Sequence, residues 1–242
     1  MATVEEIRRN VEQQLTGRGV HGVFEFRPPI ILGRAPTGVP LLDAKLSGGL
    51  PRGALTEFCG VTGSGRTTLM HSLLAQATRK GELCALVDTH DAFSPHSAHD
   101  SGVALDNLLW IRCQQHIVES KFIGRKLGPV QQSIEVVDLL LQNGGFSIVV
   151  FDMGDTDPQV ARRIPMTSWF RFRRAVEGTT TAFVVLTQEP VAGNCVSAVL
   201  RFDRADPSPH PLPGFAAVPL STTPRQELAL TYSPAEYFLQ CS

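Results

Sequence analysis

A glycine-rich run in the first third of the chain has the residue types and spacing of a phosphate-binding loop. Glycines at this spacing let backbone N–H groups point at phosphate oxygens, and the helix that follows adds its positive N-terminus. The usual pattern is G-x-x-x-x-G-K-[ST], and Arg66 replaces the lysine here. Arginine carries a longer, planar cation that does not fill the position of the lysine ammonium. The sequence therefore leaves two alternatives, a loop that binds a nucleotide and a glycine-rich turn that binds nothing. The candidate nucleotide-binding residues are Gly60, Gly63, Ser64, Gly65, Arg66, Thr67 and Thr68.

Two residues are candidate ligands for Mg²⁺ if a nucleotide binds. Thr67 offers a hydroxyl at the start of the predicted helix, and Asp152 follows the strongly apolar run 147–151. A carboxylate at the tip of a buried parallel strand, beside a phosphate loop, is typical of Mg²⁺ sites in nucleotide-hydrolysing proteins. The alternative is an aspartate that only caps the turn after the strand. The sequence thus gives a nucleotide with Mg²⁺ as the candidate cofactor.

An arginine-rich segment interleaved with aromatic residues follows this strand. Such a segment can track a single-stranded nucleic acid by charge and stacking, and it can equally anchor a partner protein. A third interpretation is an amphipathic helix with its aromatic residues in the core and its arginines in water. The residues that would contact a partner or a nucleic acid are Arg162, Arg163, Trp169, Arg171, Arg173 and Arg174.

The elements that must position these residues alternate between strand and helix patterns. The short apolar runs that predict buried parallel strands cover residues 54–59, 83–87, 108–111, 147–151 and 181–186. Apolar residues spaced by three and four predict helices after the glycine-rich run and over 134–141. This alternation predicts an α/β fold, in which a mostly parallel twisted sheet carries helices on both faces.

Composition excludes several classes of function. The chain has 242 residues, 19% of them charged, and a formal net charge of −1, so no overall basic field attracts nucleic acid or anionic lipid. It has no apolar run long enough to span a bilayer and no hydrophobic signal at its acidic N-terminus. Its five cysteines form no C-x-x-C pair, which indicates reduced thiols. We expect a cytoplasmic protein with no membrane contact.

The order of these motifs resembles the ATPase core of RecA-type recombinases. The likeness depends on Gly49-Leu50-Pro51-x-Gly53, the glycine-rich run, Leu86-Val87-Asp88, Val149-Val150-Phe151-Asp152 and Leu186-Thr187-Gln188. It implies a RecA-like phosphate-loop core over 37–204, in which Gln188 senses the γ-phosphate. The resemblance also implies that 1–36 is an N-terminal helix and strand for oligomerisation or partner docking. Residues 205–242 then form a Pro-rich linker with C-terminal edge strands.

A histidine-rich stretch lies between two of these motifs. Residues 88–99 contain three histidines and two aspartates. Metal binding would require several of these side chains to converge on one ion at about 2.1 Å. A polar loop at the edge of the sheet is the favoured interpretation, because the RecA resemblance accounts for this stretch without a metal ion.

Two departures from the family pattern affect catalysis. The catalytic glutamate of the family aligns with His90, and the phosphate-loop lysine aligns with Arg66. Loss of a positioned base costs about 10²–10⁴ in rate, and loss of a fixed positive group costs a comparable factor. We therefore expect no useful ATP turnover. A DNA-dependent ATPase of the RecA family with weak turnover is the alternative.

The segments that bind DNA in the family are also altered. Asp155 and Asp157 repel phosphate, and 189–197 lacks lysine and arginine, so binding of single-stranded DNA is expected to be weak or indirect. This combination resembles degenerate RecA-like proteins of the ImuA type, which are components of a translesion mutasome in the SOS response to DNA damage. The resemblance implies a non-catalytic adapter that assembles a translesion-synthesis complex by binding an inactive Y-family polymerase-like protein and RecA. Oligomerisation stays open.

Overall fold

The computed structural model describes residues 32–120, 125–204 and 226–232. All of them fall in one unit of the chain, Leu32–Ser242. The predicted N-terminal helix and strand within residues 1–31 lie outside the described residues, and so does the Pro-rich stretch 205–224.

A parallel sheet organises the described chain. The strands in chain order are β1 (Arg34–Ala35), β2 (Leu50–Pro51), β3 (Ala54–Gly60), β4 (Cys84–Asp88), β5 (Leu108–Arg112), β6 (Val118–Ser120), β7 (Arg125–Leu127), β8 (Ile148–Asp152), β9 (Ala182–Thr187), β10 (Ala198–Arg204) and β11 (Gln226–Tyr232). Seven of them form one sheet in the order β11-β10-β3-β9-β8-β4-β5, and every pair is parallel. Two small antiparallel pairs, β1 with β2 and β6 with β7, lie outside it. The carboxyl ends of the seven strands therefore share one edge of the sheet.

Alternating side chains of the central strands fill two apolar cores, one on each face of the sheet. Ile148 and Val150 of β8 belong to the first core, whereas Val149 and Phe151 belong to the second. Successive side chains of a strand point to opposite faces, so a strand covered on both sides must be apolar throughout. This is the physical reason for the continuous apolar runs in the sequence.

Helices cover both faces of the sheet. In chain order they are α1 (Pro40–Lys45), α2 (Arg66–Thr78), α3 (Pro95–Asp100), α4 (Pro129–Asn143), α5 (Pro158–Ala161) and α6 (Met166–Val176). Helices α1, α2 and α3 contribute to the first core, and α4 and α6 contribute to the second. Proline begins α1, α3, α4 and α5, where the missing N–H group has no intrahelical partner to lose. None of the helices that the structure describes is long and apolar enough to span a bilayer.

The structure confirms the predicted α/β fold and the mostly parallel sheet. The edge strand predicted after the Pro-rich stretch is present as β11, which pairs with β10. The prediction missed β10 itself, because Arg201 interrupts its apolar residues. That strand is nevertheless internal, between β3 and β11, and it buries Leu200 and Phe202 in the first core.

Replacement of Phe172 tests the packing of α6. Phe172→Ala is predicted to lower the free energy of unfolding by about 3–5 kcal/mol, because the fully buried ring leaves a cavity in the second core. The matched variant Phe170→Ala removes an exposed ring from the same helix and is expected to cost less than about 0.5 kcal/mol. Urea denaturation measures both values, and equal losses would show that this orientation of α6 is wrong.

Candidate functional site

The glycine-rich loop joins the end of β3 to the start of α2. Gly63 and Gly65 have φ angles of +80° and +98°, which residues with a side chain rarely adopt. Gly60 is needed because of a close approach, since a Cβ atom there would lie 2.5 Å from the carbonyl oxygen of Phe202. The glycines therefore permit the strand–loop–helix turn that the sequence predicts.

This loop leaves hydrogen-bonding groups for an anion. Ser64 N donates to Val61 O at 3.1 Å, whereas no acceptor within the described chain is bonded to the N–H groups of Gly63 and Gly65. The N-terminus of α2 has no side-chain cap, and the buried Ser64 hydroxyl lacks a hydrogen-bond partner among the described residues. Unbonded donors at a helix N-terminus fit phosphate oxygens. The loop thus keeps the capacity to cradle a phosphate.

The Arg66 side chain turns into the protein. Its guanidinium donates to Thr187 O at 2.5 Å and to Gly154 O at 3.3 and 3.4 Å, and only 6% of the residue is exposed. Burial lowers the pKa of Arg66, and the nearby Asp152 and Asp155 carboxylates oppose that shift. A cation away from water requires such acceptors, because an unpaired buried charge is very costly. In this conformation the guanidinium is used inside the protein, so only the backbone N–H group of Arg66 is left for the predicted phosphate-binding role.

Asp152 lies at the carboxyl end of β8, where the sequence predicts a metal-binding carboxylate. Its Oδ1 atom accepts a hydrogen bond from Gly154 N at 2.8 Å. Burial raises the pKa of Asp152 to about 6, although the Gly154 N–H and the Arg66 cation favour the ionised form. Asp88 is its register partner on β4 and accepts from two backbone N–H groups and from Trp110 Nε1. These bonds give Asp88 a structural role in the loop after β4.

Thr67 and Asp152 supply two of the oxygen ligands that Mg²⁺ would need. A hydroxyl and a carboxylate suit this ion, which usually completes its coordination with water and substrate phosphates. Thr67 is exposed in the first turn of α2. Over the described ranges, no group of three or more His, Cys, Asp or Glu side chains is able to hold a metal, and this includes the stretch 88–99. A Mg²⁺ ion here would therefore depend on a bound nucleotide.

His90 and Gln188 meet at the buried residue Thr156. His90 Nε2 lies 2.7 Å from Thr156 Oγ1, and Gln188 Nε2 donates to Thr156 O at 3.4 Å. The Nε2 atom of His90 is thus engaged with a neighbouring hydroxyl in this conformation. The structure brings the predicted site residues together on one segment, 152–156, because Arg66 and Asp152 are bonded to Gly154 in the same turn.

Sequence reasoning missed the groups that complete the site. The acceptors for Arg66 are backbone carbonyls, which no sequence pattern marks. Glu57 did carry a signal, because it is a single carboxylate inside the apolar strand β3. Its Oε1 atom accepts from Val191 N at 2.9 Å and from Ala192 N at 3.0 Å. Glu57 therefore fastens the segment after Gln188 to the sheet.

The aromatic residues of the arginine-rich segment confirm the amphipathic-helix interpretation for α6. Trp169 and Phe172 are fully buried in the second core. Ring centroids lie 6.4 Å apart for Phe151 and Trp169 and 5.8 Å apart for Trp169 and Phe172. The prediction that Trp169 contacts a partner or nucleic acid is therefore corrected, because its indole packs inside the protein. Phe170 is the exposed aromatic residue of this helix.

The arginines of this segment have different surroundings. Arg162 forms an ion pair with Glu189, and Arg171 Nε lies 2.7 Å from a carboxylate oxygen of Asp138. Both pairs are solvent-exposed, where an ion pair contributes little to stability. Carboxylates in the described part of the chain form no ion pair with Arg163, Arg173 and Arg174.

Comparison with known proteins settles the family. The family model described as the RecA N-terminal domain matches residues 29–160. This chain belongs to the RecA N-terminal domain family. RecA of Methylococcus capsulatus is 39% identical over 118 residues, and RecA of Acidothermus cellulolyticus is 32% identical over 184 residues. These alignments cover 48% and 69% of this chain but 30% and 49% of the relatives, so the chain spans less than half of their length.

A solved structure supports the same core. The crystal structure of the RadB recombinase matches with a TM-score of 0.54 and 20% sequence identity. The match covers 72% of this chain and 85% of the RadB chain. At this identity the likeness concerns the fold alone, and it agrees with the RecA-like core expected from the sequence.

The pH dependence of unfolding tests the raised pKa of the Asp152 carboxyl. Because the pKa of Asp152 rises on folding from about 4 to about 6, its ionised form lowers stability above pH 6, and this loss disappears as the pH falls toward 4. Asp152→Asn cannot ionise and retains an oxygen for Gly154 N. We expect the free energy of unfolding of this variant to exceed that of the wild type by about 1–2 kcal/mol at pH 7 and to equal it near pH 4.

Thermal unfolding of both proteins between pH 4 and pH 7.5 measures this difference. A gap between variant and wild type that does not change with pH would contradict a raised pKa at Asp152.

Proposed function

We propose that this RecA-family chain is a non-hydrolysing adapter that assembles a translesion-synthesis complex. In this role it binds an inactive Y-family polymerase-like protein and RecA in the cytoplasm during the SOS response, as proteins of the ImuA type do. The observation that carries the proposal is the Arg66 guanidinium, which is buried and bonded to two backbone carbonyls. A DNA-dependent ATPase with weak turnover is the alternative to be distinguished.

Hydrolysis requires a positioned base and a fixed cation at the transferred phosphoryl group. His90 stands where the family has a glutamate, and its Nε2 atom is bonded to Thr156. Arg66 stands where the family has a lysine, and it would have to leave Thr187 O and Gly154 O to reach a γ-phosphate. Loss of both groups together costs about 10⁴ or more in rate. This geometry supports an adapter better than an enzyme.

Nucleotide remains a candidate structural ligand of the adapter. The N–H groups of Gly63 and Gly65 carry no hydrogen bond in the described structure, and Thr67 and Asp152 supply oxygen ligands for Mg²⁺. ATP with Mg²⁺ would then stabilise the core by binding the folded state, without being consumed.

The loops beside the site also favour a protein partner over DNA. Asp155 and Asp157 are exposed in the loop between β8 and α5, and the segment 189–197 has no lysine or arginine. The charge of Arg162 is offset by its ion pair with Glu189. The affinity of a protein for a DNA strand comes mainly from lysine and arginine side chains that displace counterions from the phosphates, so these loops support weak or indirect DNA binding.

Phosphate release from ATP distinguishes the adapter from the ATPase. The wild-type chain is predicted to turn over more slowly than about 10⁻² s⁻¹ with or without single-stranded DNA, below the usual enzyme range of about 1–10³ s⁻¹. Arg66→Lys combined with His90→Glu supplies the two residue types of the family, and we expect it to raise the rate at least about tenfold. Adding Asp152→Asn to the double variant is the control that should abolish the gain. Wild-type turnover near 1 s⁻¹ would overturn the proposal.

Association with partners tests the adapter role itself. In size-exclusion chromatography the chain is expected to co-elute with a purified Y-family polymerase-like protein, and His90→Glu should co-elute equally well because the association does not depend on turnover. Co-elution with RecA is the second expected association. Absence of both complexes, or strand exchange by this chain alone, would contradict an adapter.

A further inference from the structure

We propose that the outer face of α6 is a docking site for an acidic peptide segment with apolar anchors. This docking face consists of Met166, Phe170, Arg173 and Arg174. The inference rests on the adapter role proposed above and names the surface and the chemistry of the partner segment that this role requires.

Helix geometry places the four residues on one stripe. Their spacing of four, seven and eight residues from Met166 confines them to about 100° of the helix circumference. The inner face of α6 is already filled, because Trp169, Phe172 and Val176 are buried in the second core. The stripe therefore faces away from the sheet, where a surface helix usually carries only polar residues.

Two large apolar side chains lie on this outer face without a role in the core. Met166 is 41% exposed and Phe170 is 53% exposed. Methionine and aromatic residues are enriched at the centres of protein interfaces, where a flexible thioether and a rigid ring provide most of the contact area. Met166 and Phe170 are four residues apart, so their side chains are neighbours on the helix surface and form one continuous apolar spot.

The loop after β9 forms a wall along the docking face. A Cβ atom at Gly193 would lie 3.0 Å from Met166 Cε, so the backbone of this loop packs closely against the methionine. Arg173 Nη1 donates to Asn194 O at 3.4 Å on the same side. The apolar spot is thus bordered by a loop that Glu57 fastens to the sheet, and it does not depend on a mobile support.

Charge determines what kind of segment complements this surface. Arg162 and Arg171 are offset by Glu189 and Asp138. Arg173 and Arg174 of the docking face have no carboxylate partner in the described structure, so two positive charges lie beside the apolar spot. Complementary charge steers association and selects partners. Carboxylates flanking leucine or phenylalanine anchors match this arrangement.

A peptide fits the docking face better than a single-stranded nucleic acid. Strand binding uses several exposed aromatic rings along a cationic groove, whereas Phe170 is the exposed ring of α6. An amphipathic helix or strand needs only spaced apolar contacts and flanking charges.

Fluorescence anisotropy with a defined probe tests the proposal on the full chain. The probe is a fluorescein-labelled peptide of about 15 residues in which Asp and Glu alternate with Leu and Phe. Phe170→Ala and Arg174→Glu are each expected to weaken binding about tenfold. Both positions are exposed, and equal melting temperatures for variants and wild type confirm that folding is retained.

Matched controls lie on the other face of the sheet. Leu41→Ala removes an apolar side chain that is 47% exposed on α1, and Lys80→Glu reverses an exposed charge after α2. Both are expected to bind the peptide as the wild type does, and a version of the probe with Asn and Gln in place of the acids should bind at least about tenfold more weakly.

Three results would overturn the docking face. The first is an unchanged affinity for the peptide in Phe170→Ala and Arg174→Glu. The second is an equal loss of affinity in the two control variants. The third is that oligo(dT) binds in place of the peptide and that Phe170→Ala abolishes this DNA binding. Brisk ATP turnover by the wild type would overturn the adapter role but leaves the anisotropy result intact, so the two failures are distinguishable.

Discussion

The buried guanidinium of Arg66 is the interaction on which the rest of the site depends. It joins the first residue of α2 to the carbonyl of the last residue of β9 and to the carbonyl of Gly154 after β8. A cation at this depth is stable only if its donors are bonded, so the loop, both strand ends and the turn after β8 must keep one arrangement. A lysine has neither the reach nor the planar fork to make both contacts.

This constraint explains why the site keeps the form of a nucleotide site while departing from its chemistry. The glycines of the loop and the carboxylate of Asp152 remain in place at the carboxyl edge of the sheet. The cation that would neutralise a phosphoryl group is used inside the protein instead. His90 is likewise engaged with Thr156 in the same turn. In the adapter role proposed above, this arrangement would give partner proteins a core whose shape does not depend on turnover.

Local patterns in the sequence were sufficient to predict most of the fold. Continuous apolar runs predicted β3, β4, β8 and β9, because strands covered by helices on both faces cannot alternate with polar residues. The glycine-rich run predicted the turn into α2, and Gly63 and Gly65 have positive φ angles in that turn. In contrast, β10 has charged residues within a short apolar pattern, and its internal position depends on pairing with β3, whose residues lie 142 positions earlier in the chain, as in the pair Leu200↔Phe58.

The candidate site was predictable in its residue types but not in its bonds. Arg66, Asp152, His90 and Gln188 were identified from motif positions, and the structure brings them to one turn. Their actual partners are backbone atoms and Thr156, which have no distinctive pattern in the sequence. Trp169 shows the converse, because an aromatic residue among arginines has the same local pattern whether it faces a ligand or the core. Tertiary packing alone decides that it is buried.

The arginine side-chain N–H signals in a nitrogen-15 NMR spectrum test the central claim most directly, with the Arg66→Lys spectrum used for assignment. The Arg66 signals are predicted to exchange slowly with solvent and to remain in place when Mg²⁺ and ATP are added. If the nucleotide shifts these signals and makes them exchange rapidly, and phosphate is produced steadily, the guanidinium is not held by the protein and the account is contradicted.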